Sequence, residues 1–374
     1  MNFINKKHLL FYPILFGVLG AFLGLITRYL FVDNSFGYPI KFIIHSHSHV
    51  MLLGFLFNTL SVFIWQHFTD GIDKLSYKIY LFMQIAVAGM LVAFILQGYA
   101  FYSILFSTLH LWLSYVFVVR IWKRLRDTSS NSRLIKIGIV FHFISSIGPY
   151  CLGPLMAFEM QESPWYQQAI FFYLHFQFFG ILFLWLLATF LKKTNKSLSN
   201  LQVNLLTLSV IGLYAHSLNY SFNYWLINSI GGLSASILVF VLFSLVKHSS
   251  RFTLKQNVTF YTLLLLSIIY TLGSFPFFAS MVVDNHFVLI AWLHFLFLGL
   301  YTPFIWLQFS QKTYPIIWII YTLSFVISEL ILIFPNEAYQ IFNTSIMQLL
   351  FYVYIVVFLC FGIVHGQWLV SKRN

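Results

Sequence analysis

Residues Phe42–Phe57 read FIIHSHSHVMLLGFLF, an apolar stretch with three histidines near its start. The composition predicts a membrane-spanning helix. On such a helix His45 and His49, four residues apart, share one face, and His47 points to another. Ionisable side chains inside a membrane are costly and usually face the interior of a helix bundle, where they have a function. This stretch therefore marks a candidate site.

The spacing His-x4-Gly, which runs from His49 to Gly54, occurs twice more along the chain. The other copies are His175–Gly180 and His294–Gly299. In an α-helix, five residues place the glycine about 140° around the axis from the histidine. We therefore expect each histidine to face a cavity while its glycine lets a neighbouring helix approach closely. The even spacing predicts three pseudo-repeats of four helices each, about 1–127, 128–252 and 253–374.

Composition places the chain among helical membrane proteins. Of its 374 residues 60% are hydrophobic and only 8% are charged, whereas about a quarter of an average soluble domain is charged. We predict one all-α integral membrane domain over 1–374, in contact with the lipid bilayer, with twelve transmembrane helices. The predicted spans are 9–31, 42–66, 78–98, 101–122, 134–157, 166–191, 201–218, 225–247, 257–281, 286–309, 314–335 and 345–370.

The basic residues predict the orientation of these helices. All of the 21 Lys and Arg residues except Arg28 and Lys41 fall at the same side of the predicted spans. Because cytoplasmic loops carry the excess of Lys and Arg, both termini are predicted to be cytoplasmic, in a bacterial inner membrane. The net charge of +12 is explained by these loops, so it does not indicate a nucleic-acid partner.

Accessibility of single cysteines tests this orientation. In a variant without Cys151 and Cys360, cysteines introduced at Glu162 and Asp284 should react with an impermeant reagent added outside the cell. A cysteine at Ser130 should react only after the membrane is opened. If the cysteine at position 130 reacts with the reagent added outside the cell and the cysteines at positions 162 and 284 do not, the orientation is the reverse of the predicted one.

Eight of the 13 histidines are predicted to lie in the outer half of the bilayer: His45, His47, His49, His110, His175, His216, His286 and His294. His142 lies deeper. The remaining four lie at cytoplasmic ends of spans, where we expect interfacial side chains with no special role: His8, His67, His248 and His365. Neutral imidazole is the commonest metal ligand, and two histidines from facing helices can hold a heme iron between them. The outer group therefore predicts metal or heme ligation.

Twelve helices with histidines on spans two, six, seven and ten resemble subunit I of the heme-copper oxidase superfamily. The likeness is to its small, divergent members, including the nitric-oxide-response membrane protein family NnrS. It implies a heme b held by His49 or His45 on span two and by His294 on span ten. It also implies copper at His175 and His216. Apart from the resemblance, His47 is a further candidate metal ligand in an altered arrangement, as are His110 and His286.

Function remains open between three alternatives. The first is redox chemistry with O2 or NO at the heme, for which the electron donor and any partner subunit stay undetermined. The second is a non-enzymatic protein that binds heme or nitric oxide. The third is a copper or zinc transporter, but a transport pathway would distribute its ligands through the depth of the bilayer, whereas most of these histidines lie in one layer.

Glu329 is an acidic residue inside a predicted span, in the segment Ser328–Phe334. An ionised carboxylate there would be costly without a partner, so we expect it to be protonated or hydrogen-bonded. Three roles fit: a structural hydrogen bond between helices, a proton relay, or a partner for the second nitrogen of a ligand histidine.

Overall fold

A computed structural model describes residues 6–245, 252–309 and 315–370. All regular structure in these ranges is helical. The first unbroken series is α1 (Lys6–Val32), α2 (Ile40–His49), π1 (Val50–Phe57), α3 (Asn58–Phe68), α4 (Lys74–Gln97), α5 (Phe101–Arg124), α6 (Ser130–Ser145), α7 (Ile147–Ala157), α8 (Pro164–His175), π2 (Phe176–Leu182), α9 (Phe183–Lys193), α10 (Asn200–Leu213), α11 (Ala215–Phe222) and α12 (Trp225–Phe243). It is followed by α13 (Leu254–Leu272), α14 (Pro276–Asp284), α15 (His286–His294), π3 (Phe295–Tyr301), α16 (Thr302–Leu307), α17 (Pro315–Ile333), α18 (Pro335–Phe342) and α19 (Ile346–Val370).

Eleven helices among the described residues are long and apolar enough to cross a membrane, and a bent pair makes twelve if it counts as one span. The chain is thus a multi-pass helical membrane protein. The bent pair is α13 and α14, which meet at 92°. The predicted continuous span 257–281 is therefore wrong. Pro276 disfavours the helical conformation at Phe275, whose backbone is extended at φ −78° and ψ 137°.

The chain forms two compact units. The first unit contains Met1–Lys123 and Ile290–Asn374, and the second contains Arg124–Leu289. Within the first unit α1 packs on α2, π1 and α19, and α17 also packs on α19. Within the second unit α6 packs on π2 and α9, and α12 packs on both α10 and α13. The division of one domain into three four-helix arcs stays a prediction.

Part of the predicted cytoplasmic charge lies outside the described residues, as do His248 and the side chain of His8. The basic residues concerned are Lys247, Arg251, Lys312, Lys372 and Arg373.

All three His-x4-Gly copies share one backbone feature. An α-helix ends at the histidine in each copy, at His49, His175 and His294, and a π-helix begins at the next residue and contains the glycine. A π-helix is hydrogen-bonded from residue i to residue i+5, so residues five apart lie about one turn from each other. The α-helical angle predicted between histidine and glycine is therefore wrong. π-Helical segments are rare in proteins, and those that occur are often found at functional sites. The three histidines therefore remain candidate site residues.

The glycines of the three copies lie where neighbouring helices come close, as predicted. A Cβ atom at Gly54 would lie 2.8 Å from Val87 Cγ1 of α4. A Cβ atom at Gly180 would lie 2.6 Å from Phe141 Cβ of α6. The third copy is less crowded by its neighbouring helix. A Cβ atom at Gly299 would lie 3.2 Å from Phe325 Cε1 of α17. Each π-helix therefore packs closely through its glycine.

Replacing Gly180 with alanine should destabilise the protein by about 1–3 kcal/mol, because the new Cβ would overlap an atom that cannot rotate away. The matched control is Gly362→Ala in α19, where a Cβ would meet no atom within 4 Å. Alanine there should be neutral or stabilising, since glycine weakens a helix interior. Unfolding in mixed detergent micelles measures both variants. Equal stability of the two would show that close packing at Gly180 is unimportant.

One ion pair ties the start of α4 to the last turns of α5, and its acidic member, Asp73, lies outside the membrane-spanning helices. Asp73 caps α4 by accepting hydrogen bonds from the backbone N–H groups of Leu75 and Ser76, and Arg120 Nη2 lies 2.7 Å from Asp73 Oδ1. Burial alone would raise the pKa of Asp73, but the hydrogen bonds from Ser76 and the Arg120 guanidinium outweigh it and lower the pKa to about 2. Asp73 is therefore ionised at neutral pH and holds the two helix ends together.

Candidate functional site

His294 lies at the end of α15, where the third π-helix begins, and it contacts the one acidic side chain buried within α17. Its Nδ1 atom is 3.2 Å from Glu329 Oε2 and 3.3 Å from Oε1. When the Glu329 side chain acts as the acceptor, His294 Nδ1 is the donor and Nε2 keeps its lone pair. Glu329 is 8% exposed and also accepts a hydrogen bond from Ser328 Oγ at 3.1 Å. The expected hydrogen bond of Glu329 is therefore present.

His47 belongs to α2 and faces α1. Its Nδ1 atom donates to the backbone carbonyl of Gly20 at 2.7 Å, which again leaves Nε2 with a lone pair. His47 is close enough to His294 for the two rings to interact electrostatically. Gly24, one turn further along α1, makes room for the ring, since a Cβ there would lie 3.0 Å from His47 Cε1 and 2.6 Å from Tyr354 Oη.

Two further polar side chains complete this group. Arg28 of α1 interacts electrostatically with Glu329 and with Tyr354 of α19. Tyr354 is 7% exposed, and its hydroxyl is 3.5 Å from the carbonyl oxygen of Ala21. We call Arg28, His47, His294, Glu329 and Tyr354 the His47–His294 cluster. It lies wholly within the first unit and brings the Arg28 guanidinium near the Glu329 side chain.

His45 and His49 form a separate group on another face of α2. His49 Nδ1 donates to the carbonyl of His45 at 2.9 Å, and its Nε2 accepts from Tyr99 Oη at 3.2 Å. The His49 ring also packs against Phe94, with ring centres 4.4 Å apart. Both nitrogens of His49 are thus engaged. His45 lies against Tyr99, at 4.6 Å between ring centres.

His175 and His216 both lie in the second unit and are close enough to interact electrostatically. His175 is 5% exposed, and its Nε2 donates to the carbonyl of Val210 at 2.8 Å. His216 Nδ1 is 2.7 Å from Asn228 Oδ1, and the two histidines interact electrostatically. The ring of Tyr270 lies 5.5 Å from that of His216. The pair offers two imidazoles, each already hydrogen-bonded.

The other histidines have separate surroundings. His142 Nδ1 accepts from Gln177 Nε2 at 3.0 Å in the second unit. His110 is buried against Phe57, whereas His286 is exposed. His365 was predicted to be interfacial, and this is wrong, because its side chain is fully buried among aromatic rings. Span hydropathy cannot detect this, since it does not show which face of α19 the residue occupies.

Arg28 and Tyr354 were not predicted as site residues. The signal in the sequence was that Arg28 is one of only two basic residues outside the predicted cytoplasmic loops. Among the described residues, no group of three or more His, Cys, Asp or Glu side chains could hold a metal ion.

Two comparisons with known proteins give no match for this chain. No family model matches it, and no match is found among curated proteins.

Proposed function

We propose that the chain binds heme b in its first unit, between His294 and a histidine of α2, and carries out redox chemistry or O2 or NO chemistry there. The observation that carries the proposal is the pairing of two histidines, each anchored through Nδ1. Metal-bound histidines nearly always donate their second ring N–H to a carboxylate or a carbonyl. His294 does so to Glu329, and His47 does so to Gly20.

The contacts support His47 over His49 and His45 as the ligand on α2. His47 Nε2 has no hydrogen-bond partner among the described residues and the ring interacts with His294, whereas His49 Nε2 is already engaged by Tyr99. Two imidazoles are the ligand set of a six-coordinate heme. When bound, such a heme supplies an iron that exchanges one electron or, after loss of one ligand, takes a diatomic gas.

The protein's own residues supply the rest of the chemistry. Glu329 holds the proton on His294 Nδ1 and so fixes the tautomer that presents Nε2. Arg28 provides a positive charge beside that carboxylate, which keeps the buried acid compensated. Tyr354 offers a hydroxyl beside His47, near Gly24.

Copper at His175 and His216 receives less support. Stable copper and zinc sites generally use three or four protein ligands, and this pair supplies two. His175 Nε2 is also committed to Val210. We therefore do not include copper in the proposed cofactor set. The bacterial inner membrane and the cytoplasmic termini remain proposals, supported by the distribution of basic residues.

Alanine variants of three histidines distinguish the candidate ligands. His47→Ala should abolish the six-coordinate heme spectrum, because it removes the proposed ligand. His49→Ala should keep that spectrum, since its ring contacts Phe94 and Tyr99. His175→Ala in the second unit should also keep it. Loss of the spectrum in His49→Ala alone would assign that ligand to His49, and loss in His175→Ala would move the heme to the second unit.

A further inference from the structure

His365 has one nitrogen whose role is determined and one that has no protein partner. Nδ1 lies 2.8 Å from the carbonyl oxygen of Phe361, one turn earlier in α19, and therefore carries the proton. Nε2 of the neutral ring is then an acceptor. That atom is buried and has no hydrogen-bond partner among the described residues. The surrounding rings are apolar, with Phe361 stacked at 4.0 Å and Phe55 at 5.7 Å.

Two other buried polar atoms without partners lie on α16. They are Trp306 Nε1 and Thr302 Oγ1. Because these residues are four apart on one helix, their side chains share a face. The Trp306 ring lies 6.0 Å from the His365 ring. All three side chains are at most 2% exposed.

Threonines inside helices usually donate to the carbonyl four residues earlier, but Thr302 Oγ1 does not. The carbonyl four residues before it, that of Leu298, instead accepts the hydroxyl of Tyr321 at 2.8 Å. Thr302 also lies directly after the third π-helix, where the backbone changes its hydrogen-bonding pattern. Its hydroxyl therefore remains available to another group.

We propose that Thr302, Trp306 and His365 bind an internal water molecule. The three groups match what a water needs: an indole N–H that donates, an imidazole nitrogen that accepts, and a hydroxyl that does either. Buried waters typically make about three hydrogen bonds to polar groups that would otherwise be unsatisfied. Leaving a buried polar group unsatisfied destabilises the folded state, so three such groups in one region would be a large penalty. This inference is independent of the heme proposal.

A double-mutant cycle tests whether the three groups are coupled. Trp306→Phe should shift the unfolding equilibrium about tenfold towards the unfolded state, because the water loses the indole N–H that donates to its oxygen and is held less tightly beside His365 Nε2. When His365 is already replaced by Phe, Trp306→Phe should shift the unfolding equilibrium by less than about a third of its effect in the wild-type protein. If His365→Phe does not fold, Thr302→Val replaces it in the cycle. Trp225→Phe, at an exposed position, controls for loss of an indole.

A neutral or stabilising Trp306→Phe, or effects that simply add, would overturn the proposal. Direct contact between Trp306 and His365 would also give coupling, so a second measurement must identify the water. In protein labelled with 15N-histidine and embedded in lipid, the His365 imidazole should gain signal rapidly from water protons in a water-edited spectrum. The His365→Asn variant assigns the resonance. Absence of that transfer from water in the wild-type protein would contradict the proposal.

Discussion

Alanine at position 294 should leave the purified protein without its six-coordinate heme. His294 is proposed to supply one of two axial ligands, and its Nδ1 is held by Glu329 at 3.2 Å. Alanine removes the ligand and leaves the Glu329 carboxylate without its imidazole. Heme content per protein, together with the absorption spectrum, measures the effect. A small residual fraction should be five-coordinate, through the remaining histidine.

His286→Ala is the matched control for this variant, because His286 begins the same helix, α15, and its side chain is exposed. It should retain full heme content and an unchanged spectrum. His365 is unsuitable as a control, since it is fully buried and its loss would disturb packing. A His294→Ala protein with normal heme content and a normal spectrum would exclude His294 as a ligand.

Replacing Glu329 with glutamine should weaken heme retention without abolishing binding. Residues that hold a metal-bound histidine through its second nitrogen typically contribute about 10- to 100-fold to metal affinity. Glutamine keeps the shape of the side chain but loses the negative charge that stabilises the Nδ1–H tautomer of His294. It also leaves Arg28 without its carboxylate partner. Transfer of heme to an excess of a heme-free acceptor protein measures the change.

Glu337→Gln provides the comparison, because it makes the same chemical change at an exposed position in α18. It should release heme at the wild-type rate. Glu329→Asp should give an intermediate rate, since the charge is kept and only the reach is shortened. If Glu329→Gln and Glu337→Gln release heme equally slowly, Glu329 forms a structural hydrogen bond and does not position His294.

Hydropathy and spacing predicted most of the fold. Apolar runs gave the number of spans, because length and composition decide which helices can cross a bilayer. They did not reveal the bend between α13 and α14 at Pro276, since both halves are equally apolar. The repeated His-x4-Gly spacing contained a further signal: its offset of five equals the hydrogen-bond step of the π-helices found at all three copies.

The sequence identified candidate histidines, but it could not identify the side chains that they contact. Sequence alone placed His45, His47 and His49 on one helix and could not decide which of them faces α1. That choice depends on close packing at Gly20 and Gly24, which the α2 sequence does not encode. Likewise, the pairing of His294 with Glu329 joins two helices through tertiary packing, so no local pattern contains it.

The absorption spectrum of the purified wild-type protein, recorded before and after addition of dithionite, tests the central claim most directly. Protein made in heme-replete cells should show the Soret band of a b-type heme. Reduction should sharpen its visible bands into those of a six-coordinate, bis-histidine form. A colourless protein, folded and pure, would contradict the proposal that His47 and His294 hold heme.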